Sequence, residues 1–251
     1  MPIPEPLARE RMLRRVGGII GVLLALQAAA IIVILAVTGA RQTARVTVDL
    51  AGAGRHTLTA VDLGPAVVTL LLIVAVFRAL MSGPFAARYL AAVHGNRHTA
   101  RWVEFSLTSS IIVFLVALLN GIGDVAGLVP LYALTSGMTL MSVLQERDIR
   151  FGHPRLALQF GAAIGIVPWG VIAFHEIGAG LLGGGPSVVV RVITLVTLAA
   201  ALVAAVTQWR EQAANAAGAD PLAGERMSVV LSAATVSLFA WLVLLGVVLP
   251  D

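Results

Sequence analysis

One acidic and one basic side chain stand inside long apolar stretches of this sequence, and they are the residues best placed to do chemistry. Glu104 lies near the start of one stretch, and Arg78 lies deep inside another, at residues 66–81. A charge at the centre of a bilayer costs about 2.5–3.5 kcal/mol on insertion scales, so such residues usually face the interior of a helix bundle and pair there. We therefore predict an ion pair between Arg78 and Glu104. In the alternative, Arg78 extends towards water or lipid headgroups and Glu104 pairs with a base such as Arg101.

Hydroxyl side chains are spaced so that they face the same interior. Thr108 follows Glu104 by four residues, which places it on the same helical face, where it can hydrogen-bond the glutamate. In the last apolar stretch, Ser228, Ser232 and Thr235 follow one another at steps of four and three residues and form one stripe of a helix. The other acidic residues fall in predicted loops, tails or helix ends. Glu104 is therefore expected to be the only carboxylate in the interior.

The sequence gives little indication of a thiol, metal, enzymatic or nucleic-acid-binding site. The chain has no cysteine, which excludes thiol chemistry and thiolate-bound metal. His94 and His98 are four residues apart, but no acidic residue stands near them in the sequence, so a metal site is not favoured. The sequence shows no nucleophile–base–acid constellation, no phosphate loop and no basic face interleaved with aromatic residues. We expect neither an enzyme nor a nucleic-acid-binding protein.

The elements that must position these residues are membrane-spanning helices. Hydrophobic residues make up 59% of the 251-residue chain and the mean hydropathy is +0.95, which is more apolar surface than a soluble domain can bury. About 20 apolar residues span a bilayer. We predict an all-α membrane protein with one domain over residues 1–251 and the lipid bilayer as its main partner. Its seven helices are placed near residues 16–38, 65–88, 99–120, 125–145, 157–178, 187–209 and 226–249.

The arginines outside the apolar runs are distributed unequally between the two predicted sides. The side that includes the amino-terminal segment carries 12 of them, and the other side carries 3. Arginine and lysine are enriched in cytoplasmic loops. We therefore predict a multi-pass protein of the plasma membrane with its amino terminus in the cytoplasm and Asp251 outside.

The segment between the first two helices has the pattern of a β-hairpin. Residues 45–49 (RVTVD) and 56–61 (HTLTAV) alternate in polarity and are rich in β-branched side chains. An Ala-Gly-Ala-Gly segment at residues 51–54 separates them and can form the turn. We predict a hairpin at residues 45–61, outside the membrane.

Three of the predicted helices carry motifs that resemble those of the heliorhodopsins, a family of retinal-binding membrane proteins. The third helix opens with RWVEFSLTSS at residues 101–110, and the fifth contains GIVPW at residues 165–169. In the last helix the matching residues are Leu231, Ser232, Ser237, Ala240 and Trp241. The resemblance extends along all seven helices and implies a rhodopsin-like bundle with an inside amino terminus and a hairpin after the first helix.

The resemblance also assigns roles, and at one position the sequence departs from the family. Glu104 corresponds to the counterion of the retinal Schiff base, and Trp169 to a tryptophan that borders the retinal; in the alternative, Trp169 is an apolar packing residue. The family's retinal-binding lysine falls on Val236, and all 17 basic residues are arginine. We therefore expect no covalent cofactor. A pocket bordered by Glu104, Trp169, Val236 and Trp241 could hold retinal or a carotenoid only without a covalent bond.

The function expected from these features is that of a membrane signalling or protein-interaction module, with an unknown cytoplasmic protein as partner. The first alternative is a photosensory or carrier protein that binds retinal, a carotenoid or a lipid non-covalently, and the second is ion or solute transport. The resemblance implies a homodimer that meets through the hairpin; in the alternative, the hairpin covers a single protomer. Gly17 and Gly21 permit close helix packing, which we favour within the chain over a dimer contact.

Overall fold

The computed structural model describes residues 5–148, 156–216 and 218–249. Within these residues, seven helices are long and apolar enough to cross a membrane, and a two-stranded antiparallel hairpin lies between the first and second of them. Both features confirm the fold predicted from the sequence.

The helices and strands have definite bounds in the described part of the chain. In order they are α1 (Glu5–Thr38), β1 (Thr43–Leu50), β2 (Gly54–Asp62), α2 (Leu63–Ser82), α3 (Ala86–His94), α4 (Thr99–Leu119), α5 (Val125–Asp148), α6 (Leu156–Leu181), α7 (Val188–Ala216) and α8 (Pro221–Val243), which continues as a π-helical turn at Leu244–Val248. The helices other than α3 are the seven candidate spans. We call the end of the bundle that carries α3 the arginine-rich end, and the opposite end the hairpin end.

The second helix is shorter than predicted. The sequence prediction continued it to residue 88, whereas α2 ends at Ser82 and a separate short helix, α3, begins at Ala86. Gly83 leaves the helical region with a ψ of −108°. The cause is Pro84, whose ring disfavours helical geometry in the residue before it and which has no amide hydrogen for the helix.

The connection between the last two helices is also shorter than predicted. The predicted helices ended at residue 209 and began again at residue 226, but α7 continues to Ala216 and α8 begins at Pro221. The Asp220 side chain accepts a hydrogen bond from the Leu222 amide at 3.0 Å, and proline at the first helical position follows it. Asp–Pro is a strong helix start. Glu211 and Glu225 therefore belong to helices and lie on the bundle.

The core lies where α1, α2, α4 and α8 meet, and it includes Leu24, Leu71, Val116 and Phe239. Helix α1 packs closely along α2.

Two glycines of α1 face α2 in the same chain. A Cβ atom added to Gly17 would lie 2.6 Å from the Ser82 Oγ, and one added to Gly21 would lie 3.2 Å from the Arg78 Cβ. The small residues of α1 thus allow close packing within the protomer, directly beside Arg78.

The hairpin rests on the loop between α4 and α5. Its strands pair from Thr43 opposite Asp62 to Leu50 opposite Gly54, with an irregularity between Val46 and Thr47. The Thr47 amide donates to the Gly123 carbonyl at 2.7 Å. Strand β1 is therefore attached to the bundle, whereas most of β2 is exposed.

Candidate functional site

Arg78 and Glu104 are in contact inside the bundle. The Arg78 guanidinium donates to the Glu104 Oε2, and the two residues are only 4% and 1% exposed. Arg78 lies on α2 four residues before its end at Ser82, and Glu104 lies on α4 five residues after its start at Thr99. The ion pair therefore lies nearer the arginine-rich end of the bundle than the hairpin end.

Ser232 completes the coordination of the carboxylate from a third helix. Its hydroxyl donates to the Glu104 Oε1 at 2.7 Å, so both carboxylate oxygens have a donor. Thr108 does not bond the carboxylate: its hydroxyl donates to the backbone carbonyl of Glu104 at 2.9 Å. This difference arises because a threonine one turn on reaches the carbonyl of its own helix. The pair and Ser232 thus connect α2, α4 and α8.

Val236 lies one helical turn beyond Ser232 and is 2% exposed. It belongs to the same apolar core as Phe239 and Ala240. The position that the resemblance assigns to a lysine is therefore occupied by a packed aliphatic side chain, which cannot form an imine.

The remaining residues predicted for the site are not gathered around the carboxylate by hydrogen bonds. Trp241 donates from its indole nitrogen to the Gln27 Oε1 at 3.0 Å and so connects α8 to α1. Trp169 of α6 and Ser237 of α8 are half-buried, and Trp169 packs against the main core. The polar centre of the predicted site consists of Arg78, Glu104 and Ser232.

A narrow crevice lies between α7 and α8. It encloses almost no volume, because the empty space of about 160 Å³ beside its walls includes open solvent. Its lining residues are Val196, Thr197, Ala200, Thr235, Leu238 and Phe239. Pockets that enclose small organic ligands generally measure about 300–1,000 Å³. The crevice is smaller than that range, and Glu104 does not line it.

A second polar cluster lies at the arginine-rich end, and the sequence analysis missed it. Glu225 is 0% exposed, Glu211 is 8% exposed, and the Glu146 side chain is 11% exposed. The expectation that Glu104 is the only interior carboxylate is therefore wrong. It failed because the predicted helices at residues 125–145, 187–209 and 226–249 left Glu146, Glu211 and Glu225 just outside their bounds.

Arg101 is the cation at the centre of this cluster. Its Nη1 donates to both oxygens of Glu211, at 2.8 and 2.9 Å, and to the Ser228 hydroxyl at 2.7 Å. Its guanidinium also stacks over the Trp102 ring, 4.4 Å from the ring centroid. Arg101 thus has its own carboxylate partner on α7 and does not pair with Glu104.

Tyr89 joins α3 to the cluster and to the ion pair. Its hydroxyl donates to the Glu225 Oε1 at 2.6 Å. Burial raises the pKa of Tyr89, and the neighbouring Glu225 carboxylate raises it further, while Arg78 and Arg101 act in the opposite direction. The phenol therefore stays protonated as a donor, and its proximity to Arg78 makes the two polar groups one continuous region.

A sequence signal for this cluster was present. With α8 starting at the Asp220–Pro221 cap, Glu225 precedes Ser228 by three residues and joins the stripe that continues to Ser232. Recognising the cap would have placed Glu225 in the interior.

Within the described residues, the fold and this buried polar region define a multi-pass membrane protein built as a seven-helix bundle. The family model for heliorhodopsins matches residues 13–248, so the chain belongs to the heliorhodopsin family. A comparison with curated proteins found no match.

Proposed function

We propose that this heliorhodopsin-family protein works without covalently bound retinal, as a membrane signalling or protein-interaction module. The observation that carries the proposal is the arrangement around Glu104. A guanidinium and a hydroxyl occupy both carboxylate oxygens, and the residue in the lysine position is Val236.

Arg78 supplies a permanent positive charge at this carboxylate. In a retinal pigment, the protonated Schiff base is the cation that a carboxylate balances. A guanidinium does not lose its proton under ordinary conditions, so the charge next to Glu104 cannot be switched by a proton transfer. The ion pair therefore supports a structural role for Glu104.

Transport and enzymatic activity are less well supported by the geometry. Beyond Ser232, the buried face of α8 consists of Ala233, Val236, Phe239, Ala240 and Val243. An ion that reached Glu104 would meet this apolar face on its way to the hairpin end, at a high desolvation cost. Among the described residues no group of histidines and acids could hold a metal ion, and we propose a non-enzymatic role.

The spectrum of the purified protein with added all-trans retinal tests the loss of covalent binding. We expect no red-shifted visible band, because such a band requires a protonated imine. A red-shifted band would contradict the proposal.

The same titration addresses the second candidate, non-covalent binding of retinal, a carotenoid or a lipid. The recess to be tested is the crevice between α7 and α8, which is smaller than the pockets that enclose small organic ligands, so this candidate is less well supported than the first. A saturable band like that of free retinal would support this candidate. Leu238→Trp, which fills the crevice, should then abolish saturation, and the exposed Leu245→Trp is the matched control.

We further propose that two protomers associate through the hairpin and that the arginine-rich end faces the cytoplasm, where a soluble partner would bind. The support for a dimer is the exposure of β2, with Leu58 at 58%. The chain has no cysteine, so a single Leu58→Cys variant can be oxidised in membranes. A disulfide-linked dimer is expected, and its absence, with Ala53→Cys at the turn as control, would contradict this interface.

A further inference from the structure

His98 is held at one face by an ionised carboxylate. Glu146 accepts hydrogen bonds from the His98 amide at 3.0 Å and from the Trp102 indole at 2.6 Å, and its Oε1 lies 2.9 Å from the His98 Nδ1. A carboxylate with several donors is stabilised in its charged form and can only accept. The His98 Nδ1 therefore carries a hydrogen.

The other ring nitrogen faces a second carboxylate. The His98 Nε2 lies 3.7 Å from the Glu225 Oε2, and the two side chains are 2% and 0% exposed. Neither atom has a hydrogen-bond partner in the described part of the chain, although the Arg101 Nη1 lies 3.4 Å from the Glu225 Oε2. If His98 were neutral with its hydrogen on Nδ1, the Nε2 lone pair would face a carboxylate oxygen at an almost fully buried position, which is unfavourable.

We propose that His98 and Glu225 bind one proton between Nε2 and Oε2, which makes this pair a buried proton-binding site. With the proton on the imidazole, His98 donates to Glu146 on one side and to Glu225 on the other. With the proton on the carboxyl, Glu225 donates to the Nε2. Either arrangement removes the repulsion, and both add the same single proton.

The charges around the pair favour its protonation. The groups that face it are Arg78 on α2, Tyr89 on α3, Arg101 on α4, Glu146 on α5, Glu211 on α7 and Glu225 itself on α8. Arg78 is balanced by Glu104, and Tyr89 is neutral. The three carboxylates and the one guanidinium that remain carry a net charge of −2 when the imidazole is neutral. The added proton reduces the net negative charge of these buried groups from −2 to −1.

The proton connects three helices. It lies between the start of α4 and α8, while the Nδ1 of the same imidazole connects to α5. Without it, unbalanced negative charge would lie among these helices. The site does not depend on the proposed function, because Arg78, Glu104 and Val236 take no part in holding the proton.

Spectroscopy of the wild-type protein in lipid nanodiscs at pH 7 tests the proposal. Nitrogen-15 NMR of labelled histidine shows whether the His98 Nε2 is protonated, with His98→Gln, or His98→Asn if the first variant does not fold, used to assign the signal. Infrared spectroscopy detects a protonated carboxyl that disappears in Glu225→Gln or, if that variant does not fold, Glu225→Asp. We expect one of the two signals. An unprotonated Nε2 together with no Glu225-dependent carboxyl band would overturn the proposal.

The exposed pair His94–Glu10 provides a control within the chain. Its atoms lie 2.8 Å apart, but its side chains are 43% and 27% exposed. Glu10→Gln should remove no carboxyl band at pH 7, because water solvates this carboxylate.

Discussion

Arg78 and Glu104 form a buried ion pair between α2 and α4, and Ser232 of α8 holds the second oxygen of the same carboxylate. The three residues join helices that are far apart in the sequence. In this chain a fixed arginine is paired with Glu104, and Val236, one helical turn beyond Ser232, is a buried apolar residue. The polar centre therefore acts as a structural connection between the three helices.

Removing one member of this pair should destabilise the protein strongly. Arg78→Met leaves Glu104 as a buried, unpaired charge, and Glu104→Gln does the same to Arg78. Each change is expected to cost about 3–5 kcal/mol, because the remaining ion is desolvated without a partner. The double variant should lose much less stability than the sum of the losses caused by the two single substitutions. Thermal unfolding in detergent, analysed as a double-mutant cycle, measures this coupling.

The exposed pair between Arg9 and Asp220 is the matched control for that cycle. Its side chains are 53% and 30% exposed at a separation of 2.9 Å. Arg9→Met should change stability by no more than about 1 kcal/mol, as for other surface ion pairs. Additive effects of the Arg78 and Glu104 substitutions would contradict the buried pair.

Introducing the missing lysine should not by itself create a normal pigment. In Val236→Lys, the new cation must share Glu104 with Arg78, and it must fit where a 2% exposed valine now packs. The absorbance spectrum after addition of all-trans retinal should show little red-shifted band. Val236→Lys combined with Arg78→Gln frees the carboxylate and should increase the band. A strong red-shifted band from Val236→Lys alone would show that Arg78 does not occupy the Glu104 carboxylate.

The fold and the centre of the site followed from local signals in the sequence. Apolar runs of membrane-spanning length marked the seven helices, and the high cost of burying a charge singled out Arg78 and Glu104. What this reasoning could not supply was the partner of each hydroxyl. Thr108 and Ser232 both fall on interior faces, yet only Ser232 reaches the carboxylate, because its helix approaches from across the bundle.

The polar cluster at the arginine-rich end shows where sequence reasoning stopped. Glu146, Glu211 and Glu225 are remote in sequence and lie beyond the most apolar part of each helix, so hydropathy alone assigns them to water. The contacts that bury them come from Arg101, His98 and Tyr89 on two other helices. Such a cluster depends on tertiary packing. Only the helix cap at Asp220–Pro221 could have been recognised from the local sequence.

Removing the Tyr89 hydroxyl should weaken the attachment of α3. Tyr89→Phe leaves the Glu225 Oε1 without its donor, and a buried acceptor without a partner costs about 1–3 kcal/mol. Thermal unfolding measures the loss. Tyr132→Phe, at a half-buried tyrosine on α5, is the control and should have a smaller effect.

The raised pKa of Tyr89 also predicts behaviour in alkali. The pKa of Tyr89 is higher in the folded protein than in the unfolded chain, where it is about 10. The contribution of Tyr89 to the free energy of unfolding is therefore fully present below about pH 10 and is lost as the pH rises further. The wild type should therefore lose stability above about pH 10 more steeply than Tyr89→Phe. If the stability of the wild type and of Tyr89→Phe declined equally above about pH 10, the Tyr89 hydroxyl would not be a buried donor.

The orientation in the membrane can be decided by labelling single cysteines, since the natural chain has none. Ala53 lies in the exposed hairpin turn and Ala91 on an exposed face of α3, at opposite ends of the bundle. The unequal arginine distribution predicts that the hairpin end is outside. On intact cells, a membrane-impermeant maleimide should therefore label Ala53→Cys at once, and Ala91→Cys only after permeabilisation. The reverse pattern would place the arginine-rich end, with its buried His98–Glu225 pair, on the outer side of the membrane and would contradict the predicted orientation.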